Sequence, residues 1–328
     1  MHILVIGAAG MLGRKLTQEV ARGRTWGVRA ADKLTLVDVT KPEQPDFSGI
    51  VELVAADLAE PGVAGQLVAD RPDVIFHLAA IVSGEAEADF EKGYRINLDG
   101  TRALFEAIRK QGAERPYCPR VVFTSSIAVF GTPFPDVIGD DHVLSPLTSY
   151  GTQKAIGELL LADYSRRGFL DGVGVRLPTI VIRPGKPNKA ASGFFSGILR
   201  EPLAGQEAVL PVAETVRHWF ASPRAAVGFL LHAASMDTST LGVRRSLNMP
   251  GVAATVAEEI EALKRAAGDA AAELIRREPD PVIEEIVAGW PRAFDPNRAL
   301  SLGFSGDASF DAIVDSYIED ELGGLRPA

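Results

Sequence analysis

Gly7-Ala8-Ala9-Gly10-Met11-Leu12-Gly13 follows directly on the apolar run His2-Ile3-Leu4-Val5-Ile6 and opens a helical pattern over residues 11–22. Glycines at a strand-to-helix junction let the backbone turn tightly and approach a pyrophosphate. The helix N terminus then turns its N–H groups and partial positive charge toward that anion. The spacing is GxxGxxG, not the commoner GxGxxG, and glycines also serve plain turns and helix packing. The strand–turn–helix context is what favours a dinucleotide site, with Gly7, Gly10, Met11, Leu12 and Gly13 as its backbone.

Outward from that turn, short apolar runs alternate with helical patterns. Strands are expected at residues 2–6, 33–37, 51–55, 74–78, 120–124 and 173–182, and helices at 11–22, 62–69, 89–111 and 149–167. Most of the strands are rich in Val, Ile or Leu, as strands buried on both faces must be. Such alternation predicts an α/β Rossmann fold, a doubly wound parallel sheet with right-handed crossovers. After Arg183 the pattern changes. Pro184, Gly185, Pro187 and Asn188 form a loop cluster, followed by helix patterns at 192–203 and 223–234 and extended pieces at 208–211 and 245–249. From Thr255 the chain reads as mostly helical, broken by Pro279, Pro281, Pro291 and Pro296. The expected division is an NAD-binding domain at 1–182, to which 213–249 returns, and a smaller, mostly helical substrate domain at 183–212 and 250–328.

The 328 residues are 46% hydrophobic and 23% charged, which excludes a disordered, collagen-like or coiled-coil chain. With 34 basic against 43 acidic residues the net charge is −9, so neither nucleic acid nor an anionic membrane is an expected partner. No stretch approaches the roughly 18 apolar residues of a membrane span. The single cysteine, Cys118, allows no internal disulfide and reads as a packed or surface thiol. Together with the absence of a signal-peptide pattern, it points to the cytoplasm. No His, Cys and Asp cluster has metal-ligand spacing, so no metal is expected.

Asp38 closes the second strand, where a carboxylate accepts hydrogen bonds from ribose hydroxyls and repels a 2′-phosphate; NAD is therefore expected over NADP. Asp57, with Leu58, ends the third strand, placed either to meet the adenine amino group or to cap a turn. His77-Leu78-Ala79-Ala80 ends the fourth with small residues that admit backbone contact with a cofactor, and His77 reads as a packed strand residue. The fifth strand runs into Thr124-Ser125-Ser126, hydroxyls at the end of the sheet where ligands bind in open α/β folds. Tyr150 and Lys154 stand four apart on one helical face. A phenol is a poor base at neutral pH, but a nearby ammonium and a positive nicotinamide ring would favour its phenolate. Tyr150 is then a candidate general base for a substrate hydroxyl.

With these residues the chain resembles the extended short-chain dehydrogenase/reductases, the NAD-dependent epimerase/dehydratase proteins. The likeness runs over nearly the whole length and rests on Gly7/Gly10/Gly13, Asp38, Asp57, His77–Ala80, Asn97, Ser126, Tyr150 and Lys154. It implies that Ser126 holds the substrate oxygen, Tyr150 moves the proton, and Lys154 binds the nicotinamide ribose. Ser126 is preferred to Ser125 because it stands three residues before Val129 in the family's Ser-x-x-Val-(Tyr/Phe)-Gly pattern. Asn97 would support the site, or would serve only as a helix residue with a structural hydrogen bond. Pro178, in Leu177-Pro178-Thr179-Ile180, would lie along the nicotinamide carboxamide. The family also implies a homodimer through the helices at 89–111 and 149–167.

Three departures bear on the substrate. The Asp-Glu pair of the dehydratases is missing beside Ser126. Thr179 stands near the position where nucleotide-sugar epimerases carry an Asn, and it is followed by a compact basic turn through Arg183 and Lys186. Arg217-His218-Trp219 lacks the later paired aspartates of the sugar-nucleotide enzymes. Segments 176–188, 191–194, 200–203 and 217–224 are most similar to the D-erythronate dehydrogenase branch. That likeness implies NAD-dependent oxidation of the 2-hydroxyl of a small sugar acid, with Ser126, Tyr150 and Thr179 on the substrate and Arg183 or Arg217 on its carboxylate. A nucleotide-sugar 4-epimerase and a non-catalytic NAD-sensing protein stay open as alternatives.

Overall fold

The computed structural model describes residues 1–23, 30–185 and 191–325. Its strands are β1 (His2–Ile6), β2 (Lys33–Asp38), β3 (Ile50–Ala55), β4 (Val74–His77), β5 (Arg120–Ser126), β6 (Asp171–Leu177), β7 (Thr179–Ile180), β8 (Ala208–Leu210), β9 (Arg217–Ala221), β10 (Ser246–Asn248), β11 (Val252–Thr255) and β12 (Ile275–Arg277). The chain forms two compact units. One comprises Met1–Val129, Pro146–Arg176 and Val227–Leu247, the other Phe130–Ser145, Leu177–Ala226 and Asn248–Ala328.

The first unit is built on a seven-stranded sheet of order β10-β6-β5-β4-β1-β2-β3. Its central neighbours pair in parallel: β1 with β2 and β4, β2 with β3, and β4 with β5. The order 3-2-1-4-5-6 is that of a doubly wound Rossmann sheet, whose ligand crevice lies where the strand order reverses, at the carboxyl ends of β1 and β4. Leu4, Ile6, Val37, Ile75, Val121 and Phe123 are buried in one cluster with Leu104, Phe105 and Ile108 of the helix Gly100–Glu114. Strands with no wet face need such apolar runs, which is why their positions are legible in the sequence.

Two expected elements are divided. The extended stretch at 173–182 is two strands, because Pro178 has no N–H to continue the ladder. The long helix at 89–111 is a short helix Phe90–Gly93, a π-helical turn Tyr94–Asp99 and the helix Gly100–Glu114.

The second unit is less helical than its sequence suggests. β7, β9 and β11 form a three-stranded sheet, with β11 antiparallel and β7 parallel to β9, and β12 pairs in parallel with β8. Phe195, Ile198, Leu199, Phe220, Ile260, Leu263, Ile313 and Val314 make its core. The turn expected through Arg183 is described as far as Gly185; Lys186, Pro187 and Asn188 lie outside the described residues. No helix among the described residues is long and apolar enough to cross a membrane.

Candidate active site

The glycine turn sits at the end of β1. The Gly7 and Ala8 N–H groups both donate to the Val37 carbonyl, at 2.8 and 3.0 Å. Gly7 has φ +95°, a left-handed conformation that a side chain would strain. Space forbids one as well: a Cβ at Gly7 would lie 2.7 Å from the Ala79 nitrogen, and one at Gly13 would lie 2.1 Å from the Gly7 oxygen. The first helix, Met11–Ala21, starts at an extended Gly10 with no side-chain cap, so its first-turn N–H groups have no side chain laid over them. The half-buried Asp38 carboxylate accepts from the Ala9 N–H at 3.0 Å, and the Leu78 and Ala79 N–H groups donate to the Ile6 carbonyl. Backbone from β1, β2 and β4 therefore converges around an uncapped helix start, a cradle suited to a pyrophosphate and ribose. Asp57 takes the Ala59 N–H at 2.9 Å and the Arg95 guanidinium at 2.8 Å, so its carboxylate already caps its own turn.

The helix Ser149–Arg166 starts at Thr148, whose hydroxyl accepts from the Gly151 N–H at 3.0 Å. Two glycines set how closely this helix approaches β5. A Cβ at Gly151 would lie 2.2 Å from the Ala128 oxygen, and one at Gly157 would lie 2.7 Å from the Phe123 ring. That closeness brings Tyr150 and Lys154 against the end of β5. Lys154 is buried, donates from Nζ to the Thr124 carbonyl at 2.7 Å, and stands 4.9 Å from the Phe123 ring centre and 5.8 Å from that of Tyr150. Burial pushes its ammonium down to about 7, and the Glu158 charge pulls the other way.

Of the two charges expected to favour the Tyr150 phenolate, the lysine is not among the influences on it in the chain alone. Its low-dielectric surroundings push the phenol up to about 12, and the opposing influence is a hydrogen bond with Ser126, not the lysine. Lys154 directs its ammonium at the Thr124 carbonyl, so among the described residues the phenol meets no cation at hydrogen-bond distance.

Sequence reasoning missed a buried cluster beneath these groups. Ser125 donates to Glu158 Oε1 at 2.5 Å, and Arg176 donates to both Glu158 oxygens from Nε and at 2.8 Å from Nη2. The Ser125 hydroxyl is thus committed to the interior, while that of Ser126 accepts from the Ala128 N–H and meets Tyr150. Arg176, a charge inside the apolar run Gly172-Val173-Gly174-Val175-Arg176-Leu177 of β6, was the available signal, since a buried charge demands a partner. Asn97, on the π-helical turn, accepts from the Ile81 N–H at 2.9 Å and donates to the Ile81 carbonyl and, at 2.8 Å, to Gln153 Oε1. It ties the segment after β4 to the helix of Tyr150. His77 is buried, bonds Thr101 at 2.8 Å, and is pushed down to about 3 by burial. Among the described residues no group of His, Cys, Asp and Glu could hold a metal ion.

The other candidates belong to the second unit. Pro178 is buried beside half-buried Thr179 on β7. Thr179 Oγ1 lies 2.7 Å from Nε2 of buried His218. Arg217 is exposed, donates to the Ala253 carbonyl and pairs with Glu258 at 3.3 Å. Arg183 donates to the Ser192 carbonyl and hydroxyl, and burial with the neighbouring Arg200 charge lowers it to about 10; no carboxylate faces it among the described residues.

Residues 3–238 match the model of the NAD dependent epimerase/dehydratase family. The chain is 49% identical over 324 residues to a D-erythronate dehydrogenase of Cupriavidus necator, covering 98% of each chain. It is 41% identical over 322 residues to one of Haemophilus influenzae, covering 98% of this chain and all of that one. It also superposes with a TM-score of 0.97 and 63% identity on a crystal structure described as the nucleoside-diphosphate-sugar epimerase from Agrobacterium tumefaciens, over 99% of this chain and 95% of that one. The chain therefore belongs to the NAD-dependent epimerase/dehydratase family, with NAD as its cofactor.

Proposed function

We propose that this protein oxidises the 2-hydroxyl of a small sugar acid, D-erythronate or a close analogue, to the 2-oxo acid, with NAD reduced to NADH. The observation that carries the reading is the Ser126–Tyr150–Lys154 arrangement in a chain that aligns end to end with two D-erythronate dehydrogenases.

The turn Gly7–Gly13, with Met11 and Leu12 opening the helix, would hold the pyrophosphate. Asp38 would take the adenosine ribose, Asp57 and Leu58 the adenine, Leu78–Ala80 and Pro178 the nicotinamide side, and Lys154 the nicotinamide ribose. NAD, when bound, supplies the hydride acceptor and a positively charged ring. Ser126, which bonds Tyr150 before substrate arrives, would turn its one proton to the substrate oxygen and so orient it. Tyr150 takes the hydroxyl proton as the C2–H bond breaks. Of the two candidate arginines, Arg183 suits the substrate carboxylate better. Arg217 already has Glu258, whereas Arg183 carries a part-desolvated charge that an incoming carboxylate would relieve. Asn97 positions the Tyr150 helix against the segment after β4. The first unit is read as the NAD-binding domain and the second as the substrate domain.

The second reading, a nucleotide-sugar epimerase, is favoured by the description of the 63% identical relative. A panel of four-carbon sugar acids with NAD, run beside UDP-sugars, separates the two. NADH accumulation with an acid supports the dehydrogenase. Epimerised UDP-sugar with no net NADH supports the epimerase.

A further inference from the structure

His218 is held on every side. Its ring stacks on Phe195 at 5.4 Å with an interplanar angle of 2° and meets Phe220 and Trp290 at 5.4 and 5.3 Å. Nδ1 lies 2.8 Å from the Pro291 carbonyl. A carbonyl oxygen only accepts, so Nδ1 carries the proton. Burial keeps the ring neutral at ordinary pH by pushing it down to about 4. Nε2 is then a lone pair, and the Thr179 hydroxyl 2.7 Å away must donate to it. The one proton of that hydroxyl is consumed, and what half-buried Thr179 has left to offer is lone pairs.

We infer that His218 is a positioning residue that fixes Thr179 as an obligate hydrogen-bond acceptor, so that Thr179 selects substrates carrying a second alcohol hydroxyl besides the one oxidised. This rests on the reading of Thr179 as a substrate contact. A carboxylate or ketone oxygen at that point would set lone pair against lone pair. The carboxylate is thereby steered elsewhere, and an acid lacking the hydroxyl leaves the acceptor unsatisfied. The reacting hydroxyl is a poor match, because as a ketone it has no proton to give.

Two measurements test this. In protein labelled with ¹⁵N-histidine, His218 is one of five histidines and is assigned by loss of its signals in H218Q. It should show a protonated Nδ1 and an unprotonated Nε2 at neutral pH, with Nε2 shifting in T179V. A protonated Nε2 overturns the inference. In steady-state kinetics with NAD, D-erythronate is compared with its analogues lacking the hydroxyl on the third or fourth carbon. The wild type should lose roughly tenfold in kcat/KM with one of them. T179S should keep that ratio and T179V should bring it near one. H218F should lower it several-fold, and H218Q, whose amide oxygen accepts, should restore it, while KM for NAD stays constant throughout. A T179V enzyme that keeps the wild-type ratio for both analogues refutes the selection. If H218F does not fold, the T179S and T179V pair still decides. A wild type that oxidises no sugar acid defeats the proposed function and the selection together, whereas the ¹⁵N spectrum reports on His218 regardless.

Discussion

At the scale of single residues, the chemistry depends on whether the Tyr150 proton can leave. Burial pushes the phenol up to about 12 in the chain without NAD, so phenolate is scarce there at neutral pH. Oxidation should therefore quicken as pH rises through the neutral range. Ser126 is the group that opposes the upward shift, so S126A should move the pH–rate profile of kcat/KM to the alkaline side; an unmoved profile would remove Ser126 from the proton path. Y150F should lower kcat by about 10²–10⁴-fold while NAD affinity, read by fluorescence titration, stays near wild type. The candidates Gly7, Gly13, Asp38, Ser126, Tyr150 and Lys154 were legible because each occupies a fixed offset from a strand end or helix start. The electrostatics were not. Burial sets the direction of the Tyr150 shift, and the Lys154 ammonium is spent on the Thr124 carbonyl, thirty positions away. Nor does the sequence tell which arginine already has a carboxylate.

At the scale of elements, the helix Ser149–Arg166 and β5 work as a pair. Gly151 and Gly157 allow the close approach, and the Glu158–Arg176 ion pair with Ser125 fastens the helix to β5 and β6. Removing the carboxylate leaves a buried guanidinium without its counter-charge, so E158Q should cost roughly 3–5 kcal/mol by urea denaturation. A variant as stable as wild type would show that the cluster does not hold the two elements together. Helix and strand positions were readable from apolar periodicity. The breaks were not, and the expected strand at 173–182 ran straight through Pro178. The π-helical turn that rotates Asn97 toward Ile81 and Gln153 leaves no periodicity of its own, and β7, β9 and β11 are too short and too dependent on one another to announce themselves.

Over the whole molecule, one buried group should shape stability. Glu259, in the helix Val256–Ala267, is fully buried and neither carboxyl oxygen has a hydrogen-bond partner among the described residues, so burial raises its pKa well above the usual value. The folded chain then holds a proton that the unfolded chain releases near pH 4.5. This contribution is complete below that pH and declines as pH rises toward the raised folded value. E259Q should gain thermal stability over wild type at pH 8 and little at pH 4; an equal change at both would contradict the assignment. Family likeness also leads us to expect a homodimer through the helices Gly100–Glu114 and Ser149–Arg166, the latter exposing Leu159. Gel filtration should give twice the chain mass, and a clean monomer would count against that pairing. The most direct test of the central claim is absorbance at the NADH band when the purified protein is mixed with NAD and D-erythronate. The account predicts steady NADH formation with a 2-oxo acid as product, absent in Y150F; no NADH from any four-carbon sugar acid, or an undiminished rate in Y150F, would contradict it.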